Sequence, residues 1–321
     1  MRIASALVLA ACGLSSSAVA DELIVTGLSG IVQTIDLDTG EVGDLGACTG
    51  SVNAMAVADG VLYLGGFFGD VYKFDLATNQ VVDSFLIPGA AHAMAWDGAR
   101  LLIANTDSTI VTINPVDNSI IETRNVPTSD ISAMGIDAGG LFVGGENSLA
   151  LRSPIGQSNF QFFAACGSQI KAMGFGPQTM YLAGETFAGN AGTVYTFDKF
   201  VGGVTYSGTF ATPNVPTAVL AHNGLLYVGG TDGMVHEMDP ITGQILRSFD
   251  MLIEVRGIAP TEGLVSCPAD YDISGDLNFF DVMAFLQLFS TQRPAGDTNG
   301  DGAFDFGDVI FFLDMFHAGC E

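Results

Sequence analysis

The chain has 321 residues, with 10 Lys+Arg against 35 Asp+Glu and a formal net charge of −25 at pH 7. So acidic a surface argues against nucleic acid and anionic membrane as partners, because both need a basic face. It suits solubility in a salty or calcium-bearing medium.

The first twenty residues carry one charge, Arg2, then an apolar run from Ile3 to Leu14, then Ala18-Val19-Ala20 ahead of Asp21-Glu22. That is the layout of a secretory signal peptide over 1–20, and the expected product is secreted, extracellular or held at a cell surface. Leu9-Ala10-Ala11-Cys12 offers an alternative lipoprotein site at Cys12. The run is too short to span a bilayer and nothing later is long enough, so no membrane span is expected. Beyond the signal remain Cys48, Cys166, Cys267 and Cys320, an even number suited to an oxidising compartment.

Residues 21–262 repeat themselves. A short strand x-Ala-Met-apolar occurs at Asn53-Ala54-Met55, His92-Ala93-Met94, Ser132-Ala133-Met134 and Lys171-Ala172-Met173, and more loosely at Thr217-Ala218-Val219 and Arg256-Gly257-Ile258. The anchors recur about every forty residues. Each precedes a second strand ending in small residues, such as Leu62-Tyr63-Leu64-Gly65-Gly66 or Leu226-Tyr227-Val228-Gly229-Gly230, and then a hairpin with an Asp-, Asn- or Gly-rich turn. Four short strands per forty residues make a propeller blade, so a mainly β, six-bladed β-propeller is expected. The repeat resembles the quinoprotein-like and YVTN-type propeller repeats. Trp96 is the only tryptophan, so the repeated tryptophans of quinoprotein dehydrogenases are missing. The chain ends of the repeat predict closure: Val255 to Pro260 should complete a last blade with residues 23–27, 31–36 and 42–46.

Ligands of propellers sit at the mouth of the central channel, where the loops into the innermost strands converge. The marker places Asn53, His92, Ser132, Lys171, Thr217 and Arg256 there as a candidate ring for a polar or anionic small ligand. The ring holds no carboxylate, and neither G-x-S-x-G nor H-E-x-x-H occurs, so no catalytic set is assigned and the enzyme question leans to no. His222, His236 and His317 read as isolated surface or packing residues.

Residues 267–321 form a second unit. Asp270, Asp272, Ser274, Asn278 and Asp281 place oxygens at positions 1, 3, 5, 9 and 12 of a loop, with Gly275 at 6 and the Asp276 carbonyl at 7. Asp297, Asn299, Asp301, Asp305 and Asp308 repeat this 27 residues later, with Gly302 at 6 and the Ala303 carbonyl at 7. Ca2+ wants six to eight oxygens and this spacing wraps them around one point, so two ions are expected. Each loop runs into a helix with an apolar stripe, Val282, Phe285, Leu286 and Phe289 in one and Val309, Phe312, Leu313 and Phe316 in the other, which should pack as a facing pair. Phe279, Met283, Leu288, Phe306, Ile310 and Met315 lie off that stripe and make a duplicated candidate docking face.

This loop-then-helix duplication resembles a type I dockerin, an EF-hand-like module, and the frame from Cys267-Pro268-Ala269-Asp270 to Ala318-Gly319-Cys320 resembles the GC-type dockerin domains. The resemblance implies a calcium-dependent module for a cohesin-like or cell-surface protein partner. Phe279-Phe280 and Phe306-Gly307 stand where cellulosomal dockerins carry small hydroxyl residues. Cys267 and Cys320 flank both loops, and pseudo-twofold packing of the two units would bring them together as a disulfide. Cys48 and Cys166 fall at equivalent places on opposite sides of the ring, and their pairing is open. The expected function is therefore a secreted, non-catalytic propeller that binds or displays, attached through its calcium module. The alternative is a propeller lyase or hydrolase acting on a polar or anionic carbohydrate with His92, Lys171 and Arg256.

Overall fold

The computed structural model describes residues 21–137, 140–186, 192–261, 279–290 and 303–318, together with Ala269, Tyr271, Leu277 and Thr298. Strands alternate buried apolar residues with turns that favour positive φ, and each set of four pairs antiparallel. The chain starts with β1 (Glu22–Gly27), β2 (Ile31–Asp36) and β3 (Val42–Ala47). Blade 1 follows as β4 (Ala54–Ala58), β5 (Val61–Gly65), β6 (Asp70–Asp75) and β7 (Gln80–Leu86). Blade 2 is β8 (Ala91–Trp96), β9 (Leu101–Asn105), β10 (Thr109–Ile113) and β11 (Ile120–Asn125). Blade 3 is β12 (Ile131–Asp137), β13 (Gly140–Gly145), β14 (Leu149–Pro154) and β15 (Gln161–Ala165). Blade 4 is β16 (Ser168–Phe175), β17 (Thr179–Thr186), β18 (Gly192–Asp198) and β19 (Gly208–Thr212). Blade 5 is β20 (Pro216–His222), β21 (Leu225–Gly230), β22 (Met234–Met238) and β23 (Ile245–Asp250).

The last strand, β24 (Val255–Pro260), pairs with β1, giving a closing blade of order β24-β1-β2-β3. Leu23 lies opposite Pro260 and Val25 opposite Ile258, and Thr261 N donates to Glu22 O at 2.9 Å. The architecture is a six-bladed propeller closed by strands from both ends of the repeat, as the sequence predicts.

The core is not one central mass but a ring of interblade layers. One layer joins Ala54, Tyr63 and Val71 of blade 1 to Met94, Leu101 and Val111 of blade 2, and the next joins Leu102 and Ile110 to Met134 and Val143 of blade 3. The small residues ending each second strand exist for this packing. A Cβ on Gly65 would lie 2.5 Å from Met94 Cε and 2.6 Å from Ala91 Cβ of the next blade, and one on Gly144 would lie 2.7 Å from Ile170 Cγ2. Among the polar groups, Lys199 and Asp137 are buried together, Nζ to Oδ1 2.9 Å.

Two helices follow, α1 (Phe279–Ser290) and α2 (Phe306–Ala318). Phe285 and Phe312 are buried and stack face to face, centroids 4.1 Å apart and 6° from parallel. Tyr271 sets its ring edge-on against both, at 5.8 and 5.4 Å. Val282, Phe289, Val309, Phe316 and also Met315 pack around this pair. Here the structure corrects two expectations: Leu286 and Leu313 are about half exposed and not in the seam, while Met315, expected on the docking face, belongs to the core. The described helices alone do not establish an EF-hand pair. No described helix is long and apolar enough to cross a membrane.

Cys48 and Cys166 are both free thiols, and burial pushes both pKa values up. Cys48 Sγ lies 3.6 Å from Gly50 O and Cys166 Sγ 3.2 Å from Ser168 O. Residues 1–20 with Cys12, and Cys267 and Cys320, lie outside the described residues.

Candidate functional site

The inner strands β4, β8, β12, β16, β20 and β24 surround a cavity of about 360 Å³, and Asn53, His92, Ser132, Lys171, Thr217 and Arg256 all line it. Five of the six are presented by the same backbone device. In β12 the pairing steps from Ile131–Gly145 to Ala133–Gly144, which leaves Ser132 without a partner opposite. His92, Lys171, Thr217 and Arg256 are skipped in the same way in β8, β16, β20 and β24. Such a bulge bends the strand and re-aims the extra side chain. Asn53 instead immediately precedes β4, its N–H donating to Gly65 O at 2.8 Å.

The six residues are not equivalent. Ser132 Oγ donates to Ile170 O of the next blade, and Thr217 Oγ1 to Val255 O of the next at 2.6 Å. Both hydroxyl protons are thus committed to holding neighbouring inner strands together, and only acceptor capacity remains for a ligand. Burial is the main cause that lowers the His92 pKa below its ordinary value of 6.5; Asp130 and Glu146 oppose this while Lys171 and Arg256 reinforce it. Burial thus favours the neutral imidazole. Asn53 Nδ2 and Arg256 Nε are buried without a hydrogen-bond partner among the described residues.

Loops bring in what the repeat did not predict. Asp130, Glu146 and Phe67 line the same cavity. Lys171 Nζ lies 3.6 Å from Glu146 Oε1, and Arg256 Nη2 pairs with Glu254. Asp130 has φ 39°, in the left-handed region, and makes no ion pair among the described residues. The ring alone is cationic, but the mouth as built carries charges of both signs. Beneath the polar layer Met55, Met94, Met134 and Met173 line the wall. Two of the thioethers turn toward the adjoining blade, Met94 into the niche at Gly65 and Met55 against Thr26, whose Oγ1 lies 3.1 Å from Met55 Sδ.

The remaining histidines read as expected: His222 Nε2 lies 2.8 Å from Asp21 Oδ1, His236 is buried against Ser248 Oγ at 2.8 Å, and His317 is exposed.

Of the expected calcium ligands, Asp270, Asp272, Ser274, Asp276, Asn278, Asp297, Asn299 and Asp301 lie outside the described residues. Asp281 and Asp308 are fully buried at equivalent places 27 residues apart, in the first turns of α1 and α2. Asp308 Oδ1 accepts from Thr298 N at 2.9 Å and Oδ2 from Asp305 N at 3.0 Å, so its carboxylate draws the start of the loop back to its end. Ala303 and Asp305 are exposed beside it. Buried carboxylates with an all-oxygen donor set fit a hard cation, since a carboxylate taken out of water needs a compensating charge or hydrogen bonds.

The apolar face of the same helices is duplicated in register. Phe279, Met283 and Leu286 in α1 recur as Phe306, Ile310 and Leu313 in α2, all exposed, with the two phenylalanines at 69% and 71%. The Leu288 side chain lies outside the described residues.

No family model matches the chain, and no curated protein does. Among solved structures, a chain of a nidogen–laminin complex aligns with a TM-score of 0.62 at 12% identity, over 75% of this chain and 98% of that one. A chain of a mitotic checkpoint complex aligns with a TM-score of 0.55 at 14% identity, over 73% and 76%. At such identities the likeness is one of propeller fold alone.

Proposed function

We propose that this chain is a secreted, non-catalytic propeller that binds a small polar ligand at its central mouth and is attached to a surface or scaffold protein through a calcium-dependent C-terminal module. The observation that carries the attachment is the repeated exposed stripe Phe279, Met283, Leu286 and Phe306, Ile310, Leu313 beside a separately packed Phe285–Phe312 core. Apolar side chains kept out of an available core, twice and in register, mark a contact surface. Two Ca2+ ions held by Asp270, Asp272, Ser274, the Asp276 carbonyl, Asn278 and Asp281, and by Asp297, Asn299, Asp301, the Ala303 carbonyl, Asp305 and Asp308, would fix the loops that orient these helices. A Cys267–Cys320 disulfide would staple the module's ends.

The test is capture of cell-surface protein by the immobilised full chain, in calcium and in chelator. Retention in calcium, release by chelator, and loss of retention in Phe279→Ser/Phe306→Ser with calcium binding intact are the expected results. Retention indifferent to both changes refutes the reading.

The alternative, a lyase or hydrolase on a polar or anionic carbohydrate, is favoured by one observation: a neutral His92 shares the cavity with Lys171 and Arg256. Turnover of polyuronates that disappears in His92→Ala would establish it.

A further inference from the structure

The central mouth gathers charges of both signs in a molecule that is strongly acidic. Beyond residue 20 the chain has nine basic residues, and Lys171 and Arg256 are both at this cavity. Asp130 and Glu146 line it too, and Glu254 holds Arg256. A simple anion would meet these three carboxylates and, on approach, the field of a chain with net charge −25. A simple cation would meet Lys171 and Arg256. The neutral His92 changes neither count.

The two signs also have places. Asp130 stands ahead of β12 in blade 3, without an ion pair among the described residues, and its left-handed backbone is the kind of strained geometry found at ligand sites. Arg256 stands on β24 in the closing blade, which a ring of six sets opposite blade 3. The Arg256 guanidinium is half engaged, Nη2 on Glu254 and Nε unpartnered, and Asn53 Nδ2 of the adjoining blade 1 is unpartnered as well. From blade 1 also comes Phe67, 44% exposed, an apolar ring at the cavity wall.

We infer that the mouth binds a small extended zwitterion of short-peptide size, its ammonium end toward Asp130 and its carboxylate end toward Arg256 and Asn53, with an apolar group against Phe67. Such a ligand has no net charge for the acidic surface to repel, and it carries one charge for each wall. A cavity of about 360 Å³ is within the range of small-ligand sites. This inference rests on reading the mouth as a binding site.

Titration calorimetry on the full chain tests it with alanyl-phenylalanine, the same dipeptide N-acetylated, the same dipeptide amidated, and maltose as an uncharged control. Capping either end should weaken binding about tenfold or more, the effect of one lost charge contact. Asp130→Asn should remove the penalty of acetylation and Arg256→Gln that of amidation, with melting curves confirming that both variants fold. Acetylated dipeptide bound as tightly as the free one overturns the inference in favour of an anion site, and tighter binding of maltose overturns it in favour of a neutral sugar; both leave the mouth a binding site. Absence of binding by all four overturns it outright. Turnover of polyuronates lost in His92→Ala removes the binding reading itself.

Discussion

His92 sits where its protonation would add a third cation to a mouth that already holds Lys171 and Arg256. Because its pKa is lowered chiefly by burial, the folded protein takes up this proton less readily than the unfolded chain, whose histidine titrates near 6.5. The sign follows: the stabilisation is complete above that value and is lost as pH falls below it toward the folded pKa. The unfolding free energy of the protein should therefore drop on acidification below about pH 6.5 more steeply than that of His92→Gln, measured by urea titration at a series of pH values. Superimposable profiles would show that His92 titrates normally. The six ring residues could be read from the sequence because the x-Ala-Met marker repeats. Asp130, Glu146 and Phe67 could not, since they come from loops that differ in every blade, and only the closed ring brings them to the same cavity.

Five of the six inner strands are bulged at the ring residue and crowded just after it, and the two features work together. A bulge sends the side chain toward the mouth, while the residue after it packs closely against the following blade. Gly257 of β24 shows how close: a Cβ there would run into Met55 Cγ and Sδ and lie 2.9 Å from Thr26 Oγ1. Gly257→Ala should cost about 1–3 kcal/mol by overpacking. Met55→Ala should recover part of that loss in the double variant, a coupling of about 1 kcal/mol in chemical denaturation; strict additivity would place the strain elsewhere. The small residues were visible in the sequence, but not their reason, which is contact across blades. The helices taught a complementary lesson. The apolar positions of α1 and α2 are legible in the sequence, yet the buried seam is one residue per helix narrower than the apolar stripe. Stacking of Phe285 on Phe312 centres the seam on those rings, and Leu286 and Leu313, about 100° further round, fall outside it. Together with Phe279, Met283, Phe306 and Ile310 they form the exposed apolar face proposed above as the docking surface.

At the scale of the whole molecule the two parts should be stable for different reasons. The propeller buries a continuous ring of apolar layers and closes its sheet edges through β24 and β1, so its stability should be mainly hydrophobic. Residues 267–321 contain 10 Asp+Glu against the single basic residue Arg293. Asp281 and Asp308 are buried completely, and their small core centres on Phe285, Phe312 and Ala269. Neighbouring carboxylates repel by about 1 kcal/mol or more per close pair even with partial screening, so metal binding and folding of this part should be a single linked event. Calorimetry of the full chain beside a chain ending at residue 261 separates them. Chelator should leave the transition shared by both proteins in place and abolish or sharply lower the one present only in the full chain. Asp281→Ala/Asp308→Ala should remove the response of that second transition to added calcium. Were the full chain to unfold identically in calcium and in chelator, no ion would be holding the helices, and the stripe of Phe279 and Phe306 would have to be oriented by apolar packing alone.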